Sequence, residues 1–326
     1  MTFTTPDRWV WDFWIADDGE QFHLFYLNAP RSLGDPHLRH RHTSIGHAVS
    51  ADLRVWDDRG IVLQHGAPES IDETSTWTGS VVKDGITWRM FYTGSRFLDP
   101  VVHRNIETIT AASSLDLHTW VKDASTVLSA DGRWYETLDD GTWHEEAWRD
   151  PWIYRAGSGW RMLITARANR VSGGTDPRDA GVVGLAESDD LVTWQAQAPL
   201  SAAGSGFGHL EVLQPFEWGG QQYVLFSCDS THLFGERSGQ QGGIWAAVWD
   251  DARAEYAVGE ARLLADERLY AGRLVRPREG GLALMAFRNS GADGDFAGAL
   301  SDPIPLSSTP DGWPTVGESY VEAGTK

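Results

Sequence analysis

The chain contains one cysteine, Cys228, which excludes an internal disulfide and any zinc site built on cysteine thiolates. No apolar run is long enough to cross a membrane, and the first residues lack the apolar core of a secretory leader, so a cytoplasmic protein with no membrane partner is expected. Positive charge is scarce: 27 Lys and Arg stand against 46 Asp and Glu, a formal net charge of −19. Such a field repels phosphate backbones and argues against a nucleic-acid partner. No amphipathic helix of useful length interrupts the chain. The Gly-x-Ser-x-Gly elbow and the His-Glu-x-x-His helix are both absent. His144-Glu145-Glu146 lacks a second histidine, and Gly204-Ser205-Gly206-Phe207-Gly208 is followed by no helix, so it fails as a phosphate loop. No metal and no organic cofactor is expected.

Tryptophan, by contrast, is plentiful, with 17 residues in 326. Most belong in a core, but the flat ring, polar at one edge, also stacks on sugars. Three segments share the pattern Ser-x-Asp-Leu-x-x-Trp: Ser50 to Trp56, Ser114 to Trp120 and Ser188 to Trp194. Recurrence at this spacing signals a repeated supersecondary unit. Short β-rich runs precede each copy (9–14, 21–27 and 43–49; 77–82, 88–93 and 107–112; 148–154, 160–165 and 181–186), bounded by turn residues. Two looser copies follow, at 211–249 and 269–300. Four-stranded units in radial repetition make a β-propeller, and five copies predict an all-β, five-bladed one spanning 1–326 as a single domain. The first strand of each blade then lines a central channel, so residues far apart in sequence converge there. Those strands carry Asp12, Asp150 and Glu211 in units one, three and four, with Thr78 in unit two and Tyr270 in unit five.

These residues bring a family resemblance into view. Trp9-Val10-Trp11-Asp12-Phe13-Trp14, Trp77-Thr78-Gly79-Ser80, Arg149-Asp150-Pro151 and Leu269-Tyr270-Ala271 resemble, in that order, motifs of the clan J glycoside hydrolases, families 32 and 68. Those families are β-fructofuranosidases, levansucrases and related fructosyl enzymes. Two features depart from the pattern. Glu211 is followed by Val212 where the families carry Cys or Arg, and no counterpart of the C-terminal β-sandwich of family 32 is expected.

The resemblance implies a retaining hydrolase or fructosyltransferase on β-fructofuranosides such as sucrose or fructo-oligosaccharides. Asp12 would be the nucleophile, Glu211 the acid/base and Asp150 the group that holds ring hydroxyls and stabilises the transition state. Arg149 is expected to keep Asp150 ionised, and crowding of negative charge to raise the pKa of Glu211. Trp11, Trp14 and Trp77 would shape the pocket floor, and Thr78, Arg149 and Tyr270 would bind substrate. A family 43-like inverting arabinanase or xylosidase, or a catalytically silent sugar-binding propeller, are the alternatives. His37, His40, His42 and His47 are expected on a loop at the channel mouth. Linkage, acceptor and oligomeric state are not encoded in these motifs.

Overall fold

The computed structural model describes residues 3–171, 176–291 and 295–317. Blade one consists of β1 (Arg8–Asp17), β2 (Phe22–Pro30), β3 (Ser44–Ser50) and β4 (Asp57–Leu63). Blade two is β5 (Ser75–Asp84), β6 (Thr87–Phe97), β7 (Asn105–Ser114) and β8 (Val121–Leu128). Blade three is β9 (Trp148–Ala156), β10 (Gly159–Arg167), β11 (Gly181–Ser188) and β12 (Gln195–Gln197). Blade four holds β13 (Glu211–Trp218), β14 (Gln221–Cys228), β15 (Gly243–Asp250), the short β16 (Glu255–Tyr256) and an outer β17 (Arg262–Asp266). Blade five is β18 (Leu269–Val275), β19 (Ala283–Ser290), β20 (Phe296–Leu300), β21 (Ile304–Ser308) and β22 (Pro314–Val316). Every pairing within a blade is antiparallel, and the architecture is the expected five-bladed propeller.

The repeated heptad is a turn into the outer strand, built identically in its three copies. Asp52, Asp116 and Asp190 each take the backbone N–H groups two and three residues on, at 2.7–2.9 Å. Ser50, Ser114 and Ser188 accept from the N–H of those same aspartates at 3.1–3.2 Å. Leu53, Leu117 and Leu191 stand at φ of 62°, 63° and 63°, and all three are buried. An L-residue with this φ is strained; here the side chain-to-backbone bonds and burial of the leucine offset the cost. The tryptophan of each copy sits immediately before β4, β8 or β12.

The core lies between blades, where flat faces meet. Trp14, Phe25, Met90 and Trp120 pack blades one and two together, and Leu163, Val183, Phe207, Phe226 and Trp245 pack three against four. The ring closes where the end of the chain meets its beginning. Leu300 donates its N–H to the Phe3 carbonyl at 2.9 Å, and Arg31 donates to the carbonyl of Ala297. Blade five departs from the simple repeat. The first half of β19 pairs with β21 and its second half with β20, so the third strand is split around Ser301.

Gly298 sits on this seam at φ +61°, and a Cβ there would lie 2.7 Å from Trp9 Cδ1 and 3.1 Å from Trp9 Cα. Gly298→Ala is therefore expected to lower stability by about 1–3 kcal/mol. Urea unfolding of the variant measures it, and an unchanged midpoint would mean that the seam is slack.

Candidate active site

All five inner strands depart from regular pairing at the same level. The register slips between Val10 and Phe13 in β1, between Trp77 and Gly79 in β5, between Glu211 and Gln214 in β13, and between Tyr270 and Arg273 in β18. In blade three, the stretch from Arg149 to Trp152 lies opposite Thr165 to Leu163 with one residue in excess. Each is a β-bulge, which bends a strand and re-aims its side chains. Together the bulges turn Trp11, Asp12, Thr78, Asp150, Glu211 and Tyr270 toward one cavity of about 350 Å³. Trp77, Arg149, Arg39, His40, His209 and Asp229 also line it. A larger groove of about 810 Å³ runs along the outer edge of blade three, past Gly157, Trp160 and Asp189. It is open and far from these carboxylates, so the smaller cavity is the chemically organised one.

Nine residues were expected here from sequence, and eight line the cavity: Trp11, Asp12, Trp77, Thr78, Arg149, Asp150, Glu211 and Tyr270. Trp14 does not. It is fully buried in the core and stacks on Phe25 at 6.2 Å. In an unbroken strand Asp12 and Trp14 would share a face, but the bulge ending at Phe13 breaks the alternation and sends Trp14 into the space between blades one and two. The histidine-rich stretch also divides. Residues 36–41 form a 3₁₀ turn rather than a strand, and this turn delivers Arg39 and His40 to the cavity. His47 lies in β3, stacked between His23 and Phe25. The Gly204–Gly208 loop is no phosphate cradle: its Gly206 and Phe207 N–H groups donate to the Asp179 carboxylate at 2.8–3.0 Å.

The three central carboxylates have distinct surroundings. Asp12 accepts a hydrogen bond from the Thr78 hydroxyl at 2.5 Å. Burial, with Asp150 and Glu211 nearby, pushes its pKa up to about 7. Asp150 accepts from the Thr165 hydroxyl at 2.8 Å and from the N–H of Val212 at 3.2 Å. Glu211 takes the Tyr270 hydroxyl at 2.5 Å on one oxygen and Arg149 at 3.0 Å on the other, and His209 Nε2 stands 3.4 Å away.

Two electrostatic expectations are overturned. Arg149 is not chiefly the partner of Asp150, whose carboxylate lies 3.7 Å from its Nε. The fork of Arg149 instead holds Glu145 at 2.9 Å, Glu107 at 3.1 Å and Glu211 at 3.0 Å. Burial therefore raises the pKa of Asp150 in spite of Arg149. Nor does crowding raise Glu211. Burial pushes it up, but His209, Arg149 and the Tyr270 hydroxyl outweigh burial and hold it below the ordinary value. Burial also lowers His209 to about 4, so His209 is neutral at pH 7, and there Arg149 and Tyr270 are what keep Glu211 ionised.

Several members of the site had no signal in the sequence. Glu107 lies in β7, and Glu145 in the loop before β9. Arg273, fully buried, donates to the carbonyls of Leu213 at 2.7 Å and Val212 at 3.3 Å, which ties blade five to blade four beneath the cavity. Each is a single charged residue among many, recognisable only once strands are placed side by side. The Val212 departure also acquires a role. This β-branched residue sits at φ +58°, and that conformation points its N–H at Asp150 and its carbonyl at Arg273.

Because Asp12 binds its proton more tightly in the folded chain than in the unfolded one, folding takes up protons between about pH 4 and 7, and stability falls as pH rises across that window. Asp12→Asn removes the charge that burial penalises. It should add nothing below about pH 4 and a few kcal/mol above about pH 7. Unfolding by urea at pH 4 and pH 8 measures this, and an equal effect at both pH values would place Asp12 in an unstrained site.

The model for the glycosyl hydrolases family 32 N-terminal domain matches residues 3–291. A sucrose-6-phosphate hydrolase of Vibrio alginolyticus is 22% identical over 218 residues, covering 62% of this chain and 40% of that protein. One from Pediococcus pentosaceus is 26% identical over 210 residues, covering 64% and 36%. The chain thus spans about two fifths of the length of these relatives. Among solved structures, the inulosucrase of Halalkalicoccus jeotgali bound to kestose superposes with a TM-score of 0.78 at 21% identity, covering 96% of this chain and 87% of that one. The Bacillus subtilis levansucrase gives 0.72 at 16% identity with coverages of 96% and 87%. The Bombyx mori GH32 β-fructofuranosidase gives 0.67 at 21%, with 98% and 66%. At these identities the structures share the fold.

Proposed function

The chain belongs to glycosyl hydrolase family 32, and from that premise we propose that it is a retaining glycoside hydrolase or fructosyltransferase acting on β-fructofuranosides such as sucrose or fructo-oligosaccharides. The observation that carries this reading is the convergence of Asp12, Asp150 and Glu211, from the inner strands of blades one, three and four, on one cavity of about 350 Å³. A volume of this order suits a small sugar, and Trp11 and Trp77 in its wall offer apolar faces to a furanose ring. Family membership favours this reading over the inverting family 43 alternative, and turnover of β-fructosides separates it from a silent binding propeller. Within the proposal the propeller is itself the catalytic unit, and its setting is cytoplasmic, in keeping with the single thiol. No helix among the described residues is long and apolar enough to cross a membrane.

In this mechanism the Asp12 carboxylate attacks the anomeric carbon of the fructosyl group while Glu211 passes a proton to the leaving oxygen. Water or a sugar hydroxyl, deprotonated by Glu211, then releases the fructosyl group with net retention. Asp150, anchored by Thr165 and the Val212 N–H, holds ring hydroxyls. Arg149 acts as a positioning residue: it binds Glu211 on the side opposite Tyr270.

The free site holds its proton the other way round, since Asp12 sits near 7 and Glu211 below its ordinary value. Both arrangements contain one proton shared by the pair, so the productive form is a proton relocation within a constant total charge. The pH profile of kcat/KM should then be a bell whose alkaline limb falls near pH 7. Thr78→Val, which removes the hydroxyl that favours ionised Asp12, should move that limb to higher pH; an unmoved limb would assign it to another group.

Asp12→Asn should leave a folded protein and cut turnover of the best β-fructoside by several orders of magnitude. Asp150→Asn should be crippled too. Arg149→Lys should fall between them and wild type, because an ammonium cannot reproduce the planar fork. Carbon NMR of the first product, taken before mutarotation, should show the β-anomer. Near wild-type turnover in folded Asp12→Asn, or an α-anomer formed first, would sink the proposal.

A further inference from the structure

His144 and Glu145 fail as a helical zinc motif, but the fold supplies a second imidazole from another loop. His103, in the segment joining β6 to β7, meets them at the cavity mouth. Glu145 Oε2 lies 3.5 Å from His103 Nε2 and 3.7 Å from His144 Nε2, and one ligand atom from each of the three residues falls within 4.8 Å of the others. Tetrahedral zinc, with bonds of about 2.0–2.2 Å, has ligand-to-ligand edges of roughly 3.3–3.5 Å. The two edges from Glu145 to the histidines are therefore within a few tenths of an ångström of that geometry, and the edge between the histidines, no longer than 4.8 Å, is the one a metal would draw in.

Its surroundings are those of a metal site. The other oxygen of Glu145 accepts from Arg149 at 2.9 Å, which fixes the carboxylate from behind as outer-shell partners do. Phe97 packs against the His103 ring at 5.1 Å, and Trp143 against His144 at 5.1 Å, which limits how far either ring can turn. Both imidazoles are nearly half exposed, at 45% and 47%, so an ion can reach them from solvent. Among the described residues, neither imidazole has a hydrogen-bond or ion-pair partner other than Glu145.

We propose that His103, His144 and Glu145 form a three-ligand site for a divalent transition metal of the zinc class, with its fourth position open to the cavity. All three residues line the cavity, so an ion held there narrows the mouth through which a sugar must pass. A second cluster, His209, Asp229 and His232, is the weaker site. There Asp229 Oδ2 is already taken by His232 Nδ1 at 2.6 Å, and His209 Nε2 stands 3.9 Å from that same oxygen and faces Glu211. Metal binding at the first cluster does not depend on the proposed activity. Inhibition of fructoside turnover by zinc, reversed by chelator, does rest on it.

The test is a Co²⁺ titration of the chelator-treated full chain, read by its visible d–d absorption and by calorimetry. About one equivalent should bind and give the intense bands of a four- or five-coordinate ion. His103→Ala and His144→Gln, each verified as folded by circular dichroism, should weaken binding by roughly tenfold or more. His232→Ala should bind as wild type does. The weak bands of an octahedral aqua ion, tight binding that survives both His103→Ala and His144→Gln, or loss confined to His232→Ala would each overturn the assignment.

Discussion

One guanidinium organises the site. Arg149 is buried and binds Glu107 from blade two, Glu145 from the loop entering blade three and Glu211 from blade four. A charge so placed is tolerable only while its partners surround it, and removing a partner from a buried pair typically costs about 3–5 kcal/mol. The three contacts therefore fix how blades two, three and four meet at the channel. Burial leaves Glu107 raised to about 8, while Arg149 and the histidines His103 and His144 hold Glu145 low. Arg149 is thus committed to three glutamates at once. Asp150, next to it in sequence, is left to Thr165 and a backbone N–H.

The bulges explain why this can happen at all. A regular inner strand would present alternate residues to the channel at a fixed spacing, and five such strands would line it with a smooth wall. An excess residue at one level in every blade turns consecutive side chains to different tasks. In blade three, Arg149 reaches sideways to three glutamates while Asp150, at φ +59°, points to the cavity. In blade four, Glu211 faces the cavity while Val212 binds Asp150 and Arg273 through its backbone. Asp150, Val212 and Ala271 all have positive φ, which costs each non-glycine residue about 1–3 kcal/mol.

Much of this was legible in the sequence, and the boundary has a physical form. The first three blades followed from the tryptophan-ended heptad, because a turn that uses its own serine and aspartate as hydrogen-bond partners leaves its whole pattern in consecutive residues, and the last two followed from looser runs of strand-like sequence. Asp12, Thr78, Asp150, Glu211 and Tyr270 were readable because each lies in a short motif on an inner strand. Trp14 was misplaced because a bulge has no sequence mark here: nothing in Trp11-Asp12-Phe13-Trp14 announces the excess residue. Glu107, Glu145, His209 and Arg273 were unreadable for a different reason. Glu107 and Arg273 meet their partners 42 and 60 positions away, which only the packed blades bring together, and Glu145, though four residues from Arg149, carries no motif that marks the pair.

The same closure accounts for the charge pattern of the site, which runs against local expectation. Crowded carboxylates were expected to raise whichever one must act as acid. Burial and cations decide otherwise. Arg149 and Tyr270 both reach Glu211, whereas Asp12 has one hydroxyl and the more distant Arg273 to set against burial and two neighbouring carboxylates. The proton therefore rests on Asp12, which as the proposed nucleophile would have to lose it before attack. A substrate hydroxyl that donates to Asp12 or Asp150 would favour their ionised forms. A leaving oxygen that accepts from Glu211 would favour its protonated form. Substrate contacts of this kind push both groups in the direction the proposed mechanism requires, so binding can reset a pair of carboxylates that the empty fold holds in the opposite order.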